Sequence, residues 1–99
     1  MMKKIAVLGS TGSIGKQALE VVDQFPGRYT VECLAGGYNT VLLAEQANKY
    51  RPSYLAVASP EAACDLRARL NYAPREVACG GAGLVEATAL DGLDLILVA

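Results

Sequence analysis

The most restrictive feature of the sequence is the alternation of short, β-rich apolar segments with longer segments whose apolar residues recur every three or four positions. Such alternation is typical of βαβ units, in which helices connect parallel strands. The strand segments read as continuous apolar runs, which is expected where both faces of a sheet are covered. The pattern therefore predicts an α/β fold built on a doubly wound parallel sheet.

Five strands and four helices fit the 99 residues. The predicted strands are residues 4–8, 29–35, 54–58, 76–79 and 94–98. The first predicted helix is residues 13–25 and the fourth is residues 81–90. The second is capped by Asn39 or Thr40 and closed by Pro52, and the third begins at Pro60 after a Ser59 cap. The expected inner faces are Ile14, Ala18, Val22 and Phe25 in the first helix, Leu43, Ala47 and Tyr50 in the second, and Ala63, Leu66 and Leu70 in the third.

The composition narrows the classes of partner. Hydrophobic residues make up 53% of the chain and charged residues 19%, which argues against disorder. The formal net charge is −1 without a basic stripe, so we expect no nucleic-acid partner. The apolar runs are far shorter than the roughly 20 residues of a membrane-spanning helix. Because Gly9 ends the first apolar stretch sooner than in a signal peptide, we expect no membrane association and a cytoplasmic location.

No catalytic or metal-binding constellation can be assembled from the side chains. Histidine is absent, and the three cysteines are widely spaced without a CxxC pair, which argues against a zinc site and against a Cys-His or Ser-His pair. The acidic residues are scattered along helix faces and turns. We therefore predict no catalytic and no metal-binding residue within this chain, and we expect Cys33, Cys64 and Cys79 to be small apolar core residues.

The segment with recognisable chemistry is the glycine turn between the first strand and the first helix, Gly9-Ser10-Thr11-Gly12-Ser13-Ile14-Gly15. The first glycine allows a tight turn, the second lets backbone amides approach a phosphate, and the third lets the helix pack close to the sheet. The helix dipole favours an anion there, and three hydroxyls can add donors, those of Ser10, Thr11 and Ser13. The turn predicts a Rossmann-like nucleotide-binding domain. The alternative is that its glycines only make a tight turn and its hydroxyls only cap the helix.

Motif spacing narrows the choice of nucleotide. A P-loop would need glycine at position 10 and Ser or Thr at position 17, where this chain has Ser10 and Gln17. An NAD site normally has an acid at the end of the second strand for the ribose 2′-hydroxyl, but none follows Ala35, and Glu32 lies too early. The segment that follows Ala35 is Gly36-Gly37-Tyr38-Asn39, which offers space and neutral donors but no Arg or Lys. It favours NADP over NAD.

Three segments also carry a family resemblance: residues 3–15, Ala35-Gly36-Gly37-Tyr38-Asn39, and Ala44-Glu45-Gln46. They resemble the amino terminus of the 1-deoxy-D-xylulose 5-phosphate reductoisomerase family. The resemblance is strong from the start of the chain through about residue 58. From there to residue 99 it is looser, although the order of elements is the same. It implies that residues 1–99 form the amino-terminal, NADPH-binding, Rossmann-like domain of a longer enzyme.

The family isomerises and reduces 1-deoxy-D-xylulose 5-phosphate to 2-C-methyl-D-erythritol 4-phosphate in the non-mevalonate isoprenoid pathway. It uses NADPH and a divalent cation, Mg or Mn. The resemblance implies that the metal-binding carboxylates and the substrate-phosphate loop lie downstream of position 99. It also implies a homodimer for the full-length enzyme.

The resemblance further implies roles for residues of two turns. The pyrophosphate and the nicotinamide side of NADPH would contact Thr11, Gly12, Ser13 and Ile14, and the adenosine ribose with its 2′-phosphate would contact Gly37, Tyr38 and Asn39. Family members usually carry Lys or Arg at position 38. Tyr38 departs from that pattern, so a weaker selectivity for NADPH is expected.

Two other functions remain open on the sequence. An aspartate-semialdehyde-dehydrogenase-like NADP enzyme has a similar first turn and would need a catalytic Cys and His further along. A non-catalytic nucleotide-sensing module would need only the glycine turn. The final run, residues 95–99, has no covering helix after it, so we expect a sheet truncated after its fifth strand, in a fragment that is not catalytic alone.

Overall fold

The computed structural model describes residues 2–99 and contains five strands that alternate with four helices. In chain order the elements are β1 (Lys3–Leu8), α1 (Ser13–Gln24), β2 (Tyr29–Ala35), α2 (Thr40–Tyr50), β3 (Tyr54–Val57), α3 (Pro60–Arg69), β4 (Glu76–Cys79), α4 (Gly80–Thr88) and β5 (Leu95–Val98). The predicted order of elements is confirmed. The largest difference in bounds is at α4, which was expected at residues 81–90.

All strand pairs are parallel, and the order across the sheet is β4-β3-β2-β1-β5. The chain steps outward from β1 to β4 and then crosses back to place β5 on the other side of β1. Right-handed connections with this order place α1, α2 and α3 on one face of the sheet and α4 on the opposite face. The sheet is therefore doubly wound, as predicted, and its strand order reverses beside β1.

The two faces, named here the three-helix face and the α4 face, bury different side chains. Large aliphatic residues of the strands fill the three-helix face together with leucines of the helices: Ile5, Val7, Val31, Leu34, Leu55, Leu19, Leu43 and Leu66. The α4 face buries mainly small residues: Ala6, Leu8, Cys33, Ala35, Tyr54, Ala56 and Ala87. A register shift in β2, where Ile5 pairs with Val31 and Ala6 with Cys33, keeps this alternation across the bulge at Glu32.

The caps of α2 and α3 follow local rules. The Asn39 side chain accepts the Leu42 N–H at 3.3 Å, so Asn39, of the two predicted candidates, caps α2. Ser59 caps α3 in the same way by accepting the Ala62 N–H at 3.2 Å, with Pro60 at the start of the helix. None of the helices within residues 2–99 is long and apolar enough to cross a bilayer.

The inner face predicted for α1 was partly wrong. Ile14 and Phe25 are exposed, whereas Gly15 and Leu19 are buried. Gly15 lies against Gly9 and Ser10 at the start of the glycine turn, and the positions three, four and seven residues later, which include Leu19, then share its side of the helix. Ile14, one residue earlier, is turned outward.

The prediction for the cysteines was correct only for Cys33, which is fully buried on the α4 face. Burial raises the pKa of the Cys33 thiol to about 12. Cys64 and Cys79 are exposed. Cys64 is on the outer side of α3, although Ala62 and Leu66, two positions before and after it, are buried. Cys79 ends β4, which is an edge strand of the sheet.

Candidate cofactor-binding site

The glycine turn is fastened to the end of β2 by its backbone. The N–H groups of Gly9 and Ser10 both donate to the carbonyl oxygen of Ala35, at 2.8 and 3.0 Å. The Gly12 N–H then donates to the Gly9 carbonyl oxygen at 3.1 Å, which closes the turn before α1 begins. These bonds bring the two predicted halves of the site, the glycine turn and the segment after Ala35, to the same carboxyl edge of the sheet.

Two of the turn's glycines are required by the fold. Gly9 has φ of +85°, a conformation that favours glycine. A Cβ at Gly15 would lie 2.3 Å from the Gly9 carbonyl oxygen and 2.6 Å from Ser10 Cα, so any side chain would push α1 away from the turn. These are the tight turn and the close helix packing that the sequence predicted.

Gly12 is different, because nothing inside the domain requires a glycine there. Its φ is −79°, and an added Cβ would meet only the Gly9 carbonyl oxygen, at an ordinary contact distance of 3.5 Å. Gly12 is exposed at the start of α1. A glycine that the fold does not need leaves room on the solvent side, and that is where a ligand can approach the backbone.

The start of α1 has no side-chain cap. The N–H groups of Thr11, Ser13 and Ile14 donate to no other backbone group of residues 2–99, and Gly12, Ser13 and Ile14 are exposed. Unpaired amides together with the positive end of the helix dipole favour a phosphate at this point. The alternative role for the hydroxyls, capping of α1, is not used.

The second predicted half follows β2 and abuts the first. A Cβ at Gly36 would lie 3.4 Å from Thr11 Cγ2, so the two turns are in contact. Gly37 has open space around it, and Tyr38 is 76% exposed. No acidic side chain follows Ala35; Glu32 instead accepts the Ser53 hydroxyl at 3.1 Å, toward the amino ends of the strands.

The expectation that Ser10 adds a hydroxyl donor is not met. Ser10 is fully buried, because its side chain points into the domain behind the turn, and its carbonyl oxygen accepts the side-chain amide of Gln46 at 2.8 Å. Thr11 is partly exposed and Ser13 is exposed, so their hydroxyls remain available. Gln46 belongs to a segment that carries the family resemblance, but no role was predicted for it, although its place beside Leu43 and Ala47 on the inner side of α2 could have indicated a buried polar group.

An open cleft of about 510 Å³ lies beside the glycine turn on the α4 face. It has a largely apolar lining, at the carboxyl ends of β1, β2 and β5: Leu8, Gly9, Ala35, Gly36, Gly37, Leu84, Val85, Thr88, Val98 and Ala99. The strand order reverses beside β1, and such a reversal is where open α/β sheets bind their ligands. Exposed amides, two turns in contact and an apolar cleft together fit an extended dinucleotide.

A second cavity, of about 430 Å³, lies at the opposite edge of the sheet. Its charged lining residues have both signs: Lys4, Glu32, Arg75, Glu76 and Asp91. It is remote from the glycine turn and from the first turn of α1. Within residues 2–99 no group of three or more His, Cys, Asp or Glu side chains could hold a metal ion.

The parallel sheet, its reversing strand order and the glycine turn at its carboxyl edge define a Rossmann-like α/β domain. The particular family follows from sequence comparison. The family model for 1-deoxy-D-xylulose 5-phosphate reductoisomerase matches residues 5–99, and the chain belongs to that family. The resemblance inferred from the three sequence segments is thereby confirmed, and the two alternative functions are not favoured.

Two curated relatives show how much of the family's length is present. The chain is 49% identical to the 1-deoxy-D-xylulose 5-phosphate reductoisomerase of Symbiobacterium thermophilum, over 98% of this chain and 26% of that protein. It is 48% identical to the enzyme of that name from Heliobacterium modesticaldum, over 100% of this chain and 26% of the relative. The chain thus spans about a quarter of the length of the relatives it matches.

Solved structures agree in fold. The reductoisomerase from Zymomonas mobilis in complex with NADPH superposes with a TM-score of 0.86 at 33% identity, over 97% of this chain and 25% of that chain. A DOX-P reductoisomerase in complex with NADPH, fosmidomycin and magnesium gives a TM-score of 0.83 at 27% identity, over 96% of this chain and 24% of that chain.

Proposed function

We propose that residues 1–99 form the NADPH-binding domain of a 1-deoxy-D-xylulose 5-phosphate reductoisomerase. The whole protein would isomerise and reduce 1-deoxy-D-xylulose 5-phosphate to 2-C-methyl-D-erythritol 4-phosphate. The observation that carries the proposal is the unpaired, exposed backbone at the start of α1, next to a glycine that the fold itself does not require. Family membership and the NADPH named for the Zymomonas mobilis structure support the choice of cofactor.

In this proposal the first turn of α1 holds the pyrophosphate. The N–H groups of Thr11, Ser13 and Ile14 donate to phosphate oxygens, and Gly12 lets those oxygens approach without a side chain between. The exposed Ile14 side chain and the apolar cleft would contact the nicotinamide side and keep water from it. Gly9, Ser10 and Gly15 would shape the turn from behind.

The adenosine half would lie against the turn that follows β2. Gly36 and Gly37 leave room for the ribose, and no carboxylate there repels a 2′-phosphate. The oxygen of the Asn39 side-chain amide is engaged by the α2 cap, so its NH₂ group is the part that can donate to the phosphate. The Tyr38 hydroxyl is a second neutral donor.

The remaining steps would need residues beyond position 99. Bound NADPH supplies a hydride for the reduction. Ligands for a divalent cation and groups that bind the substrate phosphate would lie on the rest of the protein; the magnesium and fosmidomycin named for a structural neighbour support this arrangement. We further propose that the full-length enzyme is a cytoplasmic homodimer and that this chain is not catalytic alone.

Replacing Gly12 tests the pyrophosphate site. Gly12→Asp would place a carboxylate against the phosphates, so NADPH affinity should fall by at least about 100-fold, or about 2.7 kcal/mol. Isothermal titration of the whole protein with NADPH measures this. Gly81→Asp is the control, because it adds the same charge at an exposed position of α4 that has no positive φ and where an added side chain meets no atom within 4 Å. Undiminished NADPH binding by Gly12→Asp would contradict the proposed site.

Tyr38 tests the position of the 2′-phosphate. Tyr38→Arg would add a charge-assisted hydrogen bond to that group and should raise the ratio of NADPH to NADH affinity by about tenfold. Tyr38→Phe is the comparison variant, because it keeps the ring, adds no charge and removes the hydroxyl donor, so its ratio of NADPH to NADH affinity should not rise. An affinity ratio that Tyr38→Arg leaves unchanged would show that the 2′-phosphate lies elsewhere.

A further inference from the structure

One buried polar side chain contacts the glycine turn and has no part in the proposed chemistry. Gln46 lies on the inner side of α2, is 91% buried, and donates its side-chain N–H to the Ser10 carbonyl oxygen at 2.8 Å. Its neighbours on that side of the helix, Leu43 and Ala47, are core residues. A side-chain amide among these core residues is unusual and calls for an explanation.

The stability of the core does not supply that reason. The Gln46 side-chain oxygen, Oε1, is buried without a hydrogen-bond partner among residues 2–99, and so is the Ser10 hydroxyl oxygen. Burying an unpaired polar atom opposes folding, so an apolar side chain of similar size would remove that cost but would leave the Ser10 carbonyl oxygen without its donor, and the two effects on stability oppose each other. What an apolar side chain could not do is hold the Ser10 carbonyl.

The position of Gln46 along α2 gives its hydrogen bond a consequence for the site. The same helix begins at Thr40, directly after the Gly36–Asn39 turn, and Asn39 caps it. Gln46 is about two helical turns further along and holds Ser10 within the glycine turn. One rigid helix therefore carries the adenosine-side turn at its start and a tether to the pyrophosphate-side turn in its middle.

Resting on the proposed NADPH function, we infer that Gln46 is a positioning residue that fixes the spacing between the two halves of the cofactor site. The glycine turn is held on one side by the Ala35 carbonyl, which accepts from Gly9 and Ser10. Gln46 holds it on the other. Without that tether the amides from Thr11 to Ile14 lose their fixed position relative to the Gly36–Asn39 turn.

A ligand that spans both halves should depend on Gln46, and a ligand confined to one half should not. In the whole protein, Gln46→Met should weaken NADPH binding by about tenfold, the loss expected for one hydrogen bond. The affinity for adenosine 2′-monophosphate, which reaches only the second turn, should stay within about twofold, and the thermal midpoint should change little. Glu45→Met is the matched control, since Glu45 is the exposed neighbour on the same helix.

Gln46→Glu provides a test that keeps the size of the side chain. Burial raises the pKa of a carboxyl at this position, and only above that pKa does the variant lack a donor, so NADP⁺ binding relative to the unsubstituted protein should weaken at alkaline pH. Protonation at lower pH restores an O–H donor, so this relative loss should shrink as the pH falls. A purely structural role would change the affinity for adenosine 2′-monophosphate in parallel with pH, whereas a positioning role should leave that affinity unchanged.

The outcomes separate the two proposals. If the unsubstituted protein fails to bind NADPH, the proposed function fails. If it binds NADPH and both Gln46 variants bind it equally well, only the inference about Gln46 fails. Equal weakening of NADPH and adenosine 2′-monophosphate, or failure of both variants to fold, would assign Gln46 to general stability and likewise overturn the inference.

Discussion

The two faces of the sheet are built for different tasks. Large aliphatic side chains fill the three-helix face, where Leu34 and Leu55 are fully buried under α1, α2 and α3. The α4 face has alanines at the matching positions, such as Ala6 and Ala56, and one helix covers part of it. The open cleft beside the glycine turn lies on this second face.

The difference teaches where stability and binding space come from. Close-packed branched side chains remove the most apolar surface from water, so the three-helix face should supply most of the folding free energy. Small side chains on the α4 face let α4 approach closely: a Cβ at Gly83 would lie only 2.9 Å from Ala78 Cβ. Beyond α4 the same small residues leave a cleft open, with Val98 78% exposed.

The largest expected effect is on the three-helix face. Leu55→Ala should lower the free energy of unfolding by about 2–5 kcal/mol, because it removes a fully buried side chain and leaves a cavity. Val98→Ala, in the wall of the cleft, should cost less than about 0.5 kcal/mol. Urea unfolding of both variants measures the difference. Equal losses would break the proposed division between the faces.

A smaller effect should come from forcing α4 away from the sheet. Gly83→Ala adds one methyl group where there is no room, and it should cost about 1–3 kcal/mol of unfolding free energy. Gly81→Ala on the same helix meets no atom within 4 Å and should stabilise by about 0.4–1 kcal/mol. If both substitutions stabilise, α4 is not closely packed, and thermal denaturation would show it.

The smallest effect concerns the thiols. Cys33 is buried on the α4 face with its pKa raised to about 12, whereas Cys64 is exposed. At pH 8 a thiol reagent should modify Cys64 at least about 100-fold faster than Cys33, which reacts only after local unfolding. Peptide mapping of the labelled protein checks this. Comparable rates would mean that the α4 face opens freely.

The raised pKa of Cys33 also predicts the effect of alkali on stability. An unfolded thiol ionises near its ordinary pKa of 9.0, while the folded one stays protonated until about 12. The unfolded state therefore loses its proton first as the pH rises. The fold should lose stability between pH 9 and pH 12, and Cys33→Ala should reduce that loss in alkaline denaturation curves.

The order of elements could be predicted because each strand and helix of this fold has its own local pattern. Apolar strand runs bounded by glycine, the Ser59-Pro60 start and the closing Pro52 all act over a few residues. The inward face of α1 depends instead on a contact with the turn, through Gly15, and so Ile14 and Phe25 were misassigned. The bulge at Glu32 likewise reflects pairing between strands, which local sequence does not report.

The candidate site was predictable as a position and not in its atomic detail. The glycine spacing located the turn, and the structure gives Gly9 and Gly15 the expected geometry. The inward direction of Ser10 and its bond to Gln46 depend on how α2 packs, 36 residues along the chain. The ligand contacts of the remaining residues stay predictions.

The shared acceptor at Ala35 has a consequence for hydrogen exchange. Because Gly9 and Ser10 both donate to that one buried carbonyl, their amide protons should exchange with solvent slowly, at rates set by opening of the sheet. The amides of Thr11 and Ser13, a few bonds away, should exchange nearly as fast as in an open chain. Ligand binding should therefore slow the exchange of the Thr11 and Ser13 amides and leave the already slow exchange of the Gly9 and Ser10 amides unchanged.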